Sequence, residues 1–254
     1  MKKLLLTVAA ISSALIAQAQ LKPDKMTPES SEQWDPVPRV VTPGRAAAGI
    51  SASTAPSDAI ILFDGKNLDS WVSDKDGTSP APWTVSDGAF TVAPRKGDIR
   101  TKQEFENFQL HIEWRTPQEV KGDGQGRGNS GIFMQGRYEL QVLDSYNNRT
   151  YSNGQAGSIY KQTMPLVNAS AKPGEWQYYD VIYTAPRFNK DGQIATPAYI
   201  TVLHNGVLVQ HHTAIQGTTP YVGRPEATPH GRGPIRLQDH GNPNSFRNIW
   251  IREL

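Results

Sequence analysis

No cysteine occurs among the 254 residues, which removes disulfides, thiolate zinc sites and a cysteine nucleophile in one step. Convincing long amphipathic helices and internal repeats are equally absent, so helical bundles and solenoids are set aside. There is no Gly-Lys-Ser/Thr ending on the glycine-rich stretch 122–128, and no helical pattern follows it, so it is no phosphate-binding loop. A surplus of charge is missing too. The whole chain carries 26 Lys and Arg against 24 Asp and Glu, and cleavage after residue 19 would leave the two signs equal. A neutral domain has no electrostatic reason to seek nucleic acid or anionic lipid.

What is present begins with an export pattern. Lys2 and Lys3, an apolar stretch from Leu4 to Ile16, and Ala17-Gln18-Ala19 have the order of a cleaved secretory signal over residues 1–19. The apolar stretch is too short and wrongly flanked to span a membrane, and no cysteine follows to take a lipid anchor. The expectation is therefore a periplasmic or secreted protein, neither lipidated nor inserted in a membrane. Residues 20–57 contain Pro23, Pro28, Pro36, Pro38, Pro43 and Pro56, which interrupt any regular element and mark a linker or a docked arm. Trp34, with its large apolar surface, favours docking.

From residue 58 to 254 the signals are those of strands and tight turns. Asp87-Gly88 and Asn205-Gly206 lie between alternating apolar runs, as two-residue hairpin turns require, because both central residues must accept positive φ. The fold class predicted is all-β, a two-sheet antiparallel jelly-roll sandwich.

Three strands carry unusually dense polar chemistry. In 108–115, Phe108, Leu110, Ile112 and Trp114 form one face and leave Glu113 and Arg115 on the other, with Gln109 and His111. In 137–144, Glu139 and Gln141 alternate with Tyr138, Leu140 and Val142, and one bulge would bring Asp144 to the same side. In 235–240, Arg236, Gln238 and His240 oppose Ile235 and Leu237. The expectation is that these three polar registers converge on one face. Trp71, Trp83, Trp176 and Trp250 offer large rings for stacking, although apolar neighbours favour the core for most of them. His211-His212 point to opposite faces of a strand and read as surface or core-edge residues, not a metal pair.

Taken in order, Leu62-Phe-Asp-Gly-Lys-Asn-Leu-Asp-Ser-Trp71, Glu113-Trp-Arg115, Gly128-Asn-Ser-Gly-Ile132, Tyr138-Glu-Leu-Gln-Val-Leu-Asp144, Pro173-Gly-Glu-Trp176, His204-Asn-Gly206 and Leu237-Gln-Asp-His-Gly241 resemble the 3-keto-disaccharide hydrolase family. The resemblance spans residues 60 to 254. It implies a concanavalin A-like, glucanase-type jelly roll with its site on the concave sheet. It also implies a sugar or glycoside substrate that an upstream glycoside 3-oxidase or dehydrogenase has converted to its 3-keto form. Glucanases of this fold carry a Glu-x-Asp-x-(x)-Glu strand, whereas this chain has Glu139-x-Gln141-x-x-Asp144. The two-carboxylate retaining mechanism is therefore not transferred.

A 3-keto sugar offers another route, because its C2 hydrogen is acidic. A base can remove that hydrogen and the enolate can expel the aglycone, after which water adds; direct hydrolysis stays open beside this. Glu113, Glu139 and His240 are the candidate acid–base groups. Arg115, Asn129, Gln141, Asp144, Lys161 and Gln238 are the candidates for holding sugar hydroxyls or the developing oxyanion. Lys161 would set a cation at the pocket edge, a solvated loop lysine being the competing reading. No cofactor is required by the pattern. A divalent cation on Glu113, Glu139, Asp144 and His240 is chemically suitable, yet no ligand spacing supports it. A carbohydrate-binding, lectin-like domain without chemistry is the alternative function, and a supporting part in a polysaccharide-utilisation complex is a third.

Overall fold

The computed structural model describes residues 26–41 and 54–254, so the proposed signal segment 1–19 lies outside the described residues. Fifteen strands follow one another: β1 (Ile60–Phe63), β2 (Trp71–Ser73), β3 (Thr84–Ser86), β4 (Ala89–Thr91), β5 (Ile99–Thr101), β6 (Phe108–Arg115), β7 (Ser130–Met134), β8 (Tyr138–Val142), β9 (Gln177–Thr184), β10 (Arg187–Phe188), β11 (Ile194–Thr196), β12 (Ala198–His204), β13 (Val207–Ile215), β14 (Arg236–Leu237) and β15 (Ser245–Glu253). They form an antiparallel sandwich, in agreement with the all-β expectation. One sheet runs β13-β12-β9-β6-β15-β4-β3 with β1 also on β15, and the other runs β2-β5-β14-β7-β8, while β10 and β11 pair separately.

The turns form where the residues allow left-handed backbone. Asp87-Gly88 has φ of 52° and 73°, and Asn205-Gly206 has 52° and 77°; these join β3 to β4 and β12 to β13. Gln135-Gly136, at 52° and 67°, joins β7 to β8 in the same way. Its Gln in place of Asn or Asp hides it from a turn search.

Between the sheets lie the inward registers of the central strands. Phe108, Leu110, Ile112 and Trp114 of β6 and Tyr179, Val181 and Tyr183 of β9 meet Ile132 of β7, Leu140 and Val142 of β8 and Leu237 of β14. Burying each such side chain contributes about 1.5–3 kcal/mol, and no disulfide is needed to close this core. Trp71 and Trp83 belong to it, their indole N–H groups donating to Leu62 O at 2.8 Å and Gly97 O at 3.0 Å. His204 also sits inside the sandwich, bonded to Gln177 at 2.7 Å, and burial holds its imidazole down to about 3. His211 and His212 are exposed, and His212 stacks on Tyr199 at 4.2 Å.

Each sheet turns its polar register away from this core, so the sandwich has two outer faces that look in opposite directions. That overturns one expectation. Glu113 and Arg115 lie on β6 of the eight-stranded sheet, whereas Glu139 and Gln141 lie on β8 of the five-stranded sheet. They do not share a face. Alternation decides which residues of one strand point together; it carries no information about which sheet the strand joins.

The described part of the proline-rich segment lies against the domain. Gln33 N–H donates to Asn153 Oδ1 at 3.0 Å, Asn153 Nδ2 to Ser31 O at 2.9 Å, and Ser152 Oγ to Trp34 O at 3.1 Å. Farther along, Asn168 N–H donates to Arg39 O and Val41 N–H to Asn168 O, both at 2.8 Å. Backbone hydrogen bonds hold this segment, not the burial of Trp34, which is 47% exposed.

Candidate functional site

The outer face of the five-stranded sheet carries a cavity of about 240 Å3 lined by Asn129, Phe133, Glu139, Gln141, Tyr160, Thr219, Tyr221, Arg236, Gln238 and His240. Three neighbouring strands supply its floor. Phe133 comes from β7, Glu139 and Gln141 from β8, and Arg236 from β14, with Gln238 and His240 just beyond it. β7 lies between β14 and β8, so strand pairing joins residues about a hundred positions apart in the chain.

Glu139 is 5% exposed. Its backbone N–H is bonded to Thr219 Oγ1 at 3.0 Å, but among the described residues its carboxyl accepts no hydrogen bond. Burial raises its pKa to about 8, the Arg236 cation working against the rise and Asp98 adding to it. Arg236 cannot neutralise it fully, because its guanidinium is paired with Asp98 and lies 3.6 Å over the Phe133 ring. Asp98 also accepts the Asp239 N–H at 2.8 Å, which fixes the chain leading to His240. Opposite, Gly131 leaves the space that the carboxyl occupies: a Cβ there would stand 2.5 Å from Glu139 Oε1.

Two carboxamides flank this group. Gln141 Nε2 donates to Gln125 Oε1 at 3.0 Å and Gly154 O at 3.3 Å, and Asn129 Nδ2 donates to Gln125 O at 2.8 Å. Among the described residues, Gln141 Oε1 and Gln238 Oε1 are buried acceptors without a partner. Both residues line the cavity, and a ligand hydroxyl reaching these oxygens would satisfy them.

The structure thus brings Glu139, Gln141, Asn129, Gln238 and His240 together and leaves four other candidates elsewhere. Glu113 and Arg115 stand on the opposite outer face. There Arg247 Nε donates to Glu113 Oε2 at 2.6 Å and Asn248 Nδ2 to Glu113 Oε1 at 2.8 Å. His111 Nε2 lies 3.7 Å from Glu113 and Nδ1 2.6 Å from Asp180. Trp250 stacks on His111 at 5.3 Å, and Trp176 lies beneath both Arg115 and Arg247, at 4.7 and 4.1 Å. Neither indole reaches the cavity.

Asp144 is not brought to Glu139 by a bulge. It binds Arg127 Nε at 2.6 Å and faces a second cavity, about 310 Å3, with Gly241 and Asn242. The larger cavity is the weaker candidate, since its buried ions are already paired with each other. Lys161 is neither at a pocket edge nor solvated. It is 7% exposed, and its ammonium donates to Pro28 O at 2.5 Å and Tyr221 O at 3.1 Å, behind the cavity wall. Among the described residues no cluster of three or more His, Asp or Glu is arranged to hold a metal ion, and the four side chains suggested for a divalent cation stand in three separate places.

Phe133, Tyr160, Thr219 and Tyr221 escaped the sequence reading. Phe133 had a signal, being the outward residue between Ile132 and Met134. The other three are on loops, where no periodicity reports orientation.

A family described as the 3-keto-alpha-glucoside-1,2-lyase-like domain matches residues 58–252. A crystal structure at 2.13 Å from Parabacteroides distasonis ATCC 8503, provisionally described as a glycosyl hydrolase, is 59% identical, with 90% of this chain and 97% of that one covered and a TM-score of 0.79. A second protein of that organism, with the same description and a structure at 1.70 Å, is 23% identical over 78% of this chain and 94% of its own. Its TM-score of 0.57 speaks for the fold alone. No curated protein matches. The sandwich, its polar cavity and these likenesses give the protein a role in carbohydrate processing, and the chain belongs to the 3-keto-alpha-glucoside-1,2-lyase-like domain family.

Proposed function

We propose that the protein is an enzyme that cleaves 3-keto-glycosides at the Glu139 cavity by elimination and water addition. The observation that carries this reading is the Glu139 carboxyl, buried, accepting no hydrogen bond among the described residues, and with a pKa of about 8. A carboxyl tuned close to the working pH suits proton abstraction from carbon. The ionised Glu139 takes the proton from C2, and the electron pair moves into the C2–C3 bond as the C3 carbonyl becomes an enolate. Return of that pair forms the C1–C2 double bond and breaks the bond from C1 to the aglycone oxygen. The aglycone leaves with a proton for which His240, at the cavity rim, is the candidate donor. Water adding at C1, with a proton returned to C2, completes a net hydrolysis.

Gln141 and Gln238 would accept hydrogen bonds from the sugar hydroxyls through their unpartnered oxygens. Asn129 supports Gln125, which in turn holds Gln141. The Arg236 cation beside the carboxyl stabilises charge during the transfer. A 3-keto substrate also implies an upstream oxidising enzyme, and the N-terminal pattern supports a reaction outside the cytoplasm.

The test is a time course by NMR with a 3-keto glucoside in deuterated water. Elimination and re-addition incorporate deuterium at C2, and direct hydrolysis does not. Glu139→Gln should lower turnover by about 100-fold or more, the usual scale for a general base. In the native protein the kcat/KM profile should carry a titration near 8 that marks ionisation of the Glu139 base and is missing in Glu139→Gln. Sugar binding without turnover in the native protein would move it to the lectin-like class.

A further inference from the structure

The loop between β8 and β9 has the cavity on one side and the N-terminal segment on the other. On its inner side Gly154 O accepts Gln141 Nε2 at 3.3 Å and Gln125 Nε2 at 2.9 Å. Tyr160 lines the cavity, its N–H donating to Glu139 O at 3.1 Å. On the outer side Ser152 and Asn153 take up the backbone of Ser31, Gln33 and Trp34. Lys161 joins the two, because its ammonium spans Pro28 O and Tyr221 O, and Tyr221 is itself a wall residue.

Burying an ammonium without a carboxylate beside it is costly. Its pKa is lowered by that burial, with Glu32 and Glu29 of the segment opposing the shift. Three tyrosine rings surround it, Tyr221 at 4.7 Å, Tyr151 at 5.7 Å and Tyr160 at 5.8 Å. Such an arrangement holds only while the segment supplies its carbonyl. Removing the segment would leave Lys161 short of a partner and the 151–161 loop without its outer support.

We infer that residues 28–34 are a working part of the site, and that Asn153 and Lys161 are positioning residues through which this segment holds Gln141, Tyr160 and Tyr221 in place around Glu139. The role concerns the cavity proposed above and rests on that reading for its effect on sugar. Its effect on the cavity itself does not depend on the substrate. When the segment is seated, the wall excludes water from Glu139 and keeps the Gln141 carboxamide in place through Gly154 O. When it is lifted, the loop loosens and water reaches the carboxyl.

The experiment uses full-length protein with Gln33→Pro, which removes the N–H that Asn153 accepts, and Gln33→Ala as a control that keeps it. Asn153→Ala provides a second lesion on the other partner. Three readouts are taken: hydrogen exchange of the 151–161 amides, the Glu139 carboxyl titration by 13C NMR, and kcat and KM separately for a 3-keto glucoside. Gln33→Pro and Asn153→Ala should speed exchange in 151–161, move the Glu139 titration to lower pH and raise KM by about tenfold, the scale of one lost hydrogen bond to a ligand-bearing element. Gln33→Ala should match the native protein. Unchanged exchange and an unchanged Glu139 titration in both lesions would overturn the inference. Shifts in both with no sugar turned over by the native protein would uphold it and sink the substrate assignment instead.

Discussion

Two glutamates on opposite faces show how environment drives one side chain toward two protonation states. Glu139 has its pKa raised to about 8 by burial, so the folded state prefers it neutral. Burial would raise Glu113 too, but hydrogen bonds from His111, Asn248 and Arg247 outweigh it and hold the carboxyl down to about 2. The linkages to stability have opposite signs. Glu113, depressed below its ordinary 4.5, contributes stability that is present above 4.5 and is lost as pH falls toward 2. Glu139, raised, is most compatible with folding below 4.5, and that advantage is lost as pH climbs through about 8. His111 is also raised, because Asp180 and Glu113 overcome the burial that would lower it; its contribution is present below 6.5 and lost as pH passes its folded value. Glu113→Gln should accordingly cost about 2 kcal/mol at neutral pH, the scale of a hydrogen bond to a charged group, and should flatten the acid side of a stability profile. Denaturant unfolding from pH 3 to 8 measures both, and turnover should be untouched.

At the scale of the element, the meeting of β7 and β8 decides where the carboxyl sits. Gly131 has no side chain for steric reasons that lie across the strand pair: an added Cβ would stand 2.5 Å from Glu139 Oε1 and 2.8 Å from Phe133 Cε2. Gly131→Ala should leave the fold in place, since the backbone there needs no left-handed conformation, but push Glu139 from its position and lower kcat by about 10- to 100-fold, as small misplacements of reacting groups do. Kinetics beside a melting curve would distinguish displacement from unfolding. Elements were also the scale at which the sequence spoke most clearly. Asp-Gly and Asn-Gly announced two hairpins because φ is a local property, and alternation gave the polar registers of β6, β8 and the β14 region. The partnership of those registers was not legible, because β6 and β8 join different sheets through hydrogen bonds to residues remote in the chain. Lys161 shows a further reason. Its burial depends on carbonyls at Pro28 and Tyr221, one on each side of it in the chain and both far away, so local composition read it as a loop cation.

For the whole molecule, the sandwich separates a site with an unsatisfied carboxyl from a face whose ions are mutually satisfied, with the hydrophobic core between them. Residues that share no partners and lie on either side of such a core should act independently. The double variant Glu113→Gln with Glu139→Gln should therefore show the stability loss of the first and the turnover loss of the second, with coupling below about 0.5 kcal/mol. A larger coupling, measured by a double-mutant cycle in unfolding, would mean that the two faces communicate through the core.

β13 closes one side of the eight-stranded sheet, and its pairing with β12 is interrupted near Val202, with His212 in left-handed backbone at φ 46°. Its outward groups are partly taken by the chain itself, for Leu166 N–H donates to Val209 O at 2.9 Å and Gln210 Nε2 reaches Gly157 O and Met164 O. A straight, unpaired border would offer a template for a second chain. This one is kinked and partly occupied, so along β13 a second chain finds the row of donors and acceptors broken, and there the sheet is met by its own polypeptide.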